Sequence, residues 1–222
     1  MSSNVVVAID GPSGSGKSST SRGVADRLGL RYLDTGAMFR AMTWWMLEHD
    51  VDVHDAAAVA AQAQKPDIVS GTDPLAPTIT VDGTDVAEAI RGEDVTGSVS
   101  PVSAVPEVRE RLLALQREVI GDGAIVVEGR DIGSVVWPQA EVKLYLTADP
   151  AARAMRRAAE EGGSDLAATE QSLLARDRID SGRAAAPLVM ADGAHHIDTT
   201  PYTLEEVINQ VVALVSAARG DA

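Results

Sequence analysis

Eight consecutive residues, Gly11, Pro12, Ser13, Gly14, Ser15, Gly16, Lys17 and Ser18, follow the spacing G-x-x-x-x-G-K-S. Glycines so placed let the backbone wrap a chain of phosphates with its N–H groups turned inward. A lysine at the end of such a loop reaches the β- and γ-phosphates, and the serine after it offers a hydroxyl to Mg²⁺. Ser19 adds a second hydroxyl at the same turn. The flanks supply the context this chemistry requires. Residues 5–10 are an apolar, β-branched run, and residues 18–28 suit a helix whose positive N-terminal end would face the phosphates. Binding of a nucleoside triphosphate is the expectation. The loop does not name what receives the phosphoryl group, because switches, motors and small-molecule kinases all use it.

Other charged residues narrow the choice. A guanine-reading N-K-x-D segment is absent, since the asparagines are Asn4 and Asn209, and the protein-kinase signatures H-R-D and D-F-G are missing. Arg40 follows Asp34-Thr35-Gly36, where Thr35 and the next helix could present donors to a second anion. Glu128-Gly129-Arg130-Asp131 follows an apolar strand, the place where open α/β sheets put ligands. Arg176, Asp180 and Arg183 stand at i, i+4 and i+7, on one helical face if the helix persists through Gly182. That face reads either as a surface salt-bridge ladder or as a ligand site. The sixteen arginines outnumber three lysines, which suits bidentate phosphate recognition but also an ordinary solvated surface. The four histidines have no zinc-type partner set and read as surface or strand-end residues.

The elements that must position these groups alternate between strand and helix. Strands are expected at residues 5–10, 31–33, 124–127, 142–146 and 196–198, and helices at 18–28, 35–48, 106–120, about 165–180 and 204–219. A further helix opens at Asp149-Pro150, a cap residue followed by a first-turn proline. Thr203 and Glu206 form a capping box. Met38, Met42, Trp45 and Met46 share one helix face and read as core. Between residues 51 and 102 the pattern becomes irregular, with an Ala-rich helix near 55–63, scattered Pro and Gly, and a hairpin signal at Asp82-Gly83. The fold class is therefore α/β, an open and mostly parallel sheet with helices on both faces and one inserted module. The strands at 124–127 and 142–146 are expected to be buried on both faces.

At 222 residues the chain is one domain, or one domain carrying a small insert. A net charge of −14 repels polyanions, which argues against nucleic-acid and membrane-surface partners. Apolar runs are too short to span a bilayer, no secretory signal opens the chain, and no cysteine is present, so a cytoplasmic location is expected.

The motifs AIDGPSGSGKSS, YLDTGAMFR, VSPVSAVPEVR, EGRDIGSVV, RDRIDSGRAAAPL and IDTT occur in this order between about residue 8 and residue 200. The ordered set resembles the bacterial cytidylate kinases, CMP/dCMP kinases within the nucleoside monophosphate kinases. The resemblance implies a three-layer αβα core of the P-loop type at 1–50 and 103–222, a short lid at about 157–166, and a monophosphate-binding insert at 51–102. It implies transfer of a phosphoryl group from ATP, with Mg²⁺, to CMP or dCMP in a monomer. It assigns Ser100, Arg109 and Asp131 to cytosine, and Arg176 and Asp180 to the sugar. Arg40, Arg130 and Arg183 fall to the monophosphate and the transferring group, and Arg153 and Arg157 to the lid over the ATP phosphates. Lys17, Arg130 and Arg183 are its catalytic residues. The sequence departs from the common pattern at Phe39 (Tyr is usual), Glu128 (Asp is frequent) and Ser134 (Thr is frequent). Two other readings stay open: a kinase for UMP, AMP or another small acceptor, and a nucleotide-binding regulator with no acceptor.

Overall fold

β1 (Val6–Asp10) is the central strand of a parallel sheet. In the computed structural model, which describes residues 4–160, 163, 165–182 and 186–220, it is flanked by β6 (Ile125–Gly129) and β7 (Val142–Thr147), with β2 (Arg31–Asp34) and β8 (His195–Asp198) at the edges. All four pairings are parallel. From β1 the chain crosses to β2 on one side, whereas β7 and β8 lie on the other. That reversal of strand order opens a crevice at the strands' carboxyl ends.

The period of two in β1 explains the two apolar layers. Val6 and Ala8 join one cluster with α2 (Thr35–Glu48) and α5 (Pro106–Ile120), while Val5, Val7 and Ile9 join another with α1 (Lys17–Leu28) and α8 (Leu204–Arg219). Met38, Met42, Trp45 and Met46 are buried in the first cluster, as their helical spacing predicts. The capping box at Thr203 and Glu206 opens α8. β6 is buried throughout. β7 is not: Lys143, Tyr145 and Thr147 are partly exposed on the face away from Leu144 and Leu146. The expectation of two buried faces fails there: Lys143 and Thr147 turn to solvent-exposed polar partners, the Asp192 carbonyl and His196.

Residues 51–102 contain α3 (Ala56–Gln62), then an antiparallel sheet of β3 (Ile68–Ser70), β4 (Ile79–Val81) and β5 (Thr84–Asp85). Asp82 and Gly83 both have positive φ, 51° and 79°, the two-residue turn that an Asp-Gly pair favours. A 3-10 turn at Ala89–Arg91 leads into α4 (Glu93–Ala104). Sequence pattern did not predict α4, because Pro101 removes an internal N–H and Gly97 weakens propensity. Burial of Val95, Val99 and Val102 offsets that cost. Val59, Ile68, Ile79, Val81 and Ile90 belong to the same cluster as Leu112 and Val127, so the segment shares its core with the sheet. α6 (Pro150–Glu160) and α7 (Leu166–Gly182) precede β8. No helix among the described residues is long and apolar enough to cross a membrane.

Candidate active site

The phosphate loop joins β1 to α1. Gly11 has φ 149°, and a Cβ there would stand 2.1 Å from the Leu146 carbonyl oxygen, so no side chain fits. Gly16, the N-cap of α1, is left-handed (φ 86°) and provides no side-chain cap, leaving the first N–H groups of the helix to another acceptor. Lys17 Nζ donates to the Pro12 carbonyl at 2.7 Å and is buried. Desolvation, then Arg130, pushes its ammonium well below the usual lysine range, partly countered by Glu128. Ser18 Oγ donates to Glu128 Oε2 at 3.0 Å, and the Tyr32 hydroxyl donates to Glu128 Oε1. Burial, with Asp34 next, pushes the Glu128 carboxyl up.

A second set of groups lines a cavity beside this loop. Thr35, Arg40, Ser100, Arg109 and Asp131 surround it, together with Arg130, Arg176 and Asp180. Arg109 pairs with Asp131, donates to the Ser103 carbonyl at 3.2 Å, and lies 5.3 Å over the Phe39 ring. Arg130 Nε pairs with Asp180 at 2.9 Å, while its Nη1 donates to the Gly11 carbonyl at 3.0 Å, so one guanidinium touches both the loop and the cavity. Thr35 Oγ1 donates to the Glu128 carbonyl at 2.7 Å. Arg40 donates to the Ile90 carbonyl and Thr96 Oγ1, each at 2.9 Å. Burial, then Arg176, brings Arg40 down to about 9, and burial, then Arg130, brings Arg176 down to about 10. Guanidiniums crowded in a desolvated space favour a bound anion beside them. Where the loop and this cavity meet, Lys17, Ser18, Arg40, Arg130, Arg157 and Arg176 line one continuous space.

A family profile described as cytidylate kinase matches residues 7–217. The chain belongs to the cytidylate kinase family. A cytidylate kinase of Streptomyces griseus is 59% identical over 219 residues, covering 98% of this chain and 95% of the relative. One from Streptomyces avermitilis is 58% identical, covering 97% and 94%. Among solved structures, shikimate kinase from Acinetobacter baumannii aligns with TM-score 0.50 at 15% identity, covering 97% of this chain and 95% of that one, a likeness of fold.

Within this cytidylate kinase framework, the structure separates the arginines of α6. Arg153 is 4% exposed, paired with Asp177 at 2.5 Å, and donates to the Ser13 carbonyl at 3.1 Å. It braces the loop's backbone from α6. Arg157 lines the phosphate-facing space. Arg156, which sequence reasoning passed over, donates to Thr199 Oγ1 and to the Thr199 carbonyl, each at 2.9 Å, and lines an apolar pocket with Tyr202, Leu204 and Val207. Its i, i+3 spacing from Arg153 was the available signal. Asp10 and Tyr32 were also missed, since both act across more than ninety residues of chain. Arg183, and the lid positions 161, 162 and 164, lie outside the described residues.

Proposed function

We propose that the protein transfers the γ-phosphoryl group of ATP to CMP or dCMP, giving ADP and CDP or dCDP, by direct in-line displacement. A monophosphate oxygen bonds to the γ-phosphorus as the bond from that phosphorus to the β–γ bridging oxygen breaks, and ADP departs with the bridging oxygen. One observation carries this reading: the space along the nucleotide loop and the cavity beside it share Arg40, Arg130 and Arg176 in their walls. A loose transition state needs positioning and neutralised charge more than a strong base. Lys17 and Arg130 supply both, and an arginine on the transferring group contributes about 10³–10⁵ in rate. Arg183 takes the same role on resemblance alone.

At the far end of the cavity Asp131, Arg109 and Ser100 suit cytosine. A carboxylate accepts from the N4 amino group, and Arg or Ser serves the ring acceptors, whereas uracil would turn a carbonyl toward Asp131. Arg176 and Asp180 would hold the sugar, and Arg40 the monophosphate. In this reading residues 51–102 form the monophosphate module, and residues 157–166 close over ATP with Arg157. The loop from Gly11 to Ser19 would hold the ATP phosphates. All of these groups belong to one chain, so the reading takes a monomer as the working unit.

Mg²⁺ fits the same space. Ser18 Oγ and the Glu128 carboxylate are hard oxygen donors 3.0 Å apart, a small protein share that suits an ion taking its other ligands from water and phosphate. Ser18 would hold the ion, with Glu128 oriented by Tyr32 behind it, and bound Mg²⁺ would neutralise charge on the β- and γ-oxygens. A coupled ADP-release assay across CMP, dCMP, UMP, AMP and GMP tests the function. Preference for CMP and dCMP over UMP by roughly 30-fold or more is expected, since each unpaired base contact costs about 1–3 kcal/mol. A preference for another base overturns the cytosine assignment, and ATP binding without acceptor-dependent ADP release overturns the kinase.

A further inference from the structure

The turn that carries Arg130 and Asp131 into the cavity has an unusual cap. Ile132–Val136 forms a single π-helical turn, closed by the Val135 and Val136 N–H groups on the Asp131 carbonyl and by Trp137 N on the Ile132 carbonyl. Such a turn begins with N–H groups that no residue inside it can accept. An aspartate at the N-cap ordinarily accepts them through its own side chain. Asp131 occupies that position, yet its side chain makes no capping bond and pairs with Arg109 at the cavity instead. The two N–H groups go elsewhere: Ile132 N donates to Asp10 Oδ1 and Gly133 N to Asp10 Oδ2, each at 2.8 Å.

Asp10 ends the central strand and is 2% exposed. Both of its carboxylate oxygens are used by the turn, and the next residue in the chain, Gly11, accepts from Arg130 through its carbonyl. Residues 10 and 11 thus hold the Arg130–Asp131 pair from both sides. The space around Gly133 is equally tight, with a Cβ there standing 3.4 Å from Asp10 Oδ2 and 3.2 Å from Ala191 Cβ.

We infer that Asp10 is a positioning residue for acceptor selectivity: by capping the 132–136 turn from the neighbouring strand, it keeps the Asp131 carboxylate turned to Arg109 and the acceptor base. Without Asp10, the unpaired N–H groups of Ile132 and Gly133 draw in the nearest carboxylate, Asp131 at their own N-cap. The inference rests on the reading of Asp131 as the group that recognises cytosine.

Asp10→Asn, Asp131→Ala and the double variant separate the two ideas, with kcat/KM for CMP and for UMP measured beside the affinity of a fluorescent ATP analogue. D10N is expected to lower the CMP/UMP ratio about tenfold or more, mainly through the KM for CMP, with analogue affinity within about twofold of the parent, and the double variant to lose no selectivity beyond D131A. A merely structural role for Asp10 would weaken both nucleotides together, and that result overturns the inference. Selectivity lost in D131A but kept in D10N also overturns it, while leaving the cytosine reading intact. Selectivity kept in D131A removes the cytosine reading and the inference with it. Asp10→Ser, smaller than aspartate and able to accept one of the two bonds, answers the same question if D10N does not fold.

Discussion

Asp10 is costly to keep ionised. Burial raises its carboxyl from 3.8 to about 6 against the opposing pull of the Gly133 and Ile132 N–H groups, and Asp131 adds to the rise while Lys17 reduces it. The folded pKa lies above the unfolded one, so between these values the folded chain holds a proton that the unfolded chain has released. The stability this gives is present below about pH 4 and is lost as pH rises through about 6, roughly 3 kcal/mol in all. Urea unfolding of the parent and of D10N across pH 4–7 reads this directly. Stability of the parent relative to D10N should fall by about 2–3 kcal/mol over that range. A difference that stays flat with pH would show that Asp10 titrates normally. The same residue shows what sequence alone could not display: an aspartate before a phosphate loop looks like a strand end, and its partners lie 122 and 123 positions away.

At the scale of elements, the tie between α6 and α7 is the most exposed to test. Arg153 and Asp177 are largely buried, and Arg153 also supports the Ser13 carbonyl in the loop. Removing one member of a buried pair strands the other, at about 3–5 kcal/mol. Asp177→Ala should therefore lower unfolding free energy by roughly 3 kcal/mol, and Arg153→Met with Asp177→Leu should recover most of it. Thermal melts of the three proteins decide this, and an Asp177→Ala protein as stable as the parent would mean the pair contributes nothing. Helices with strong period and plain ends were legible from the start: α2, α5 and α8 span the expected residues. α4 was not, because its proline and glycine mimic loop chemistry while its stability comes from burial on α2. The π turn at 132–136 gave no periodic signal, being five residues long and capped from another strand. In the candidate site, the loop was readable from spacing alone. The acceptor-side residues needed the ordered motifs, since Ser100, Arg109, Asp131 and Asp180 come from four separate segments.

Across the whole molecule, the segment 51–102 is bound to the sheet by more than its shared apolar cluster. Trp45 Nε1 donates to Asp82 Oδ2 at 2.8 Å, Arg22 Nε to the Pro74 carbonyl at 2.8 Å, and Tyr32 N to the Thr72 carbonyl at 2.9 Å. These links predict one cooperative unfolding transition. Denaturant curves followed by tryptophan fluorescence, in which Trp45 reports the hairpin contact, and by far-UV circular dichroism should superimpose. An earlier fluorescence transition would mark the segment as a separately melting unit.

Arg130 is held through two nitrogens of its guanidinium, Nε by Asp180 and Nη1 by the Gly11 carbonyl. A long flexible arm carries about 2 kcal/mol of rotamer freedom, and an enzyme that had to still it at each turnover would surrender that freedom every time. Here the stilling happens once, as the chain folds. Asp180 and the Gly11 carbonyl have ended that guanidinium's wandering before it is asked to do anything else.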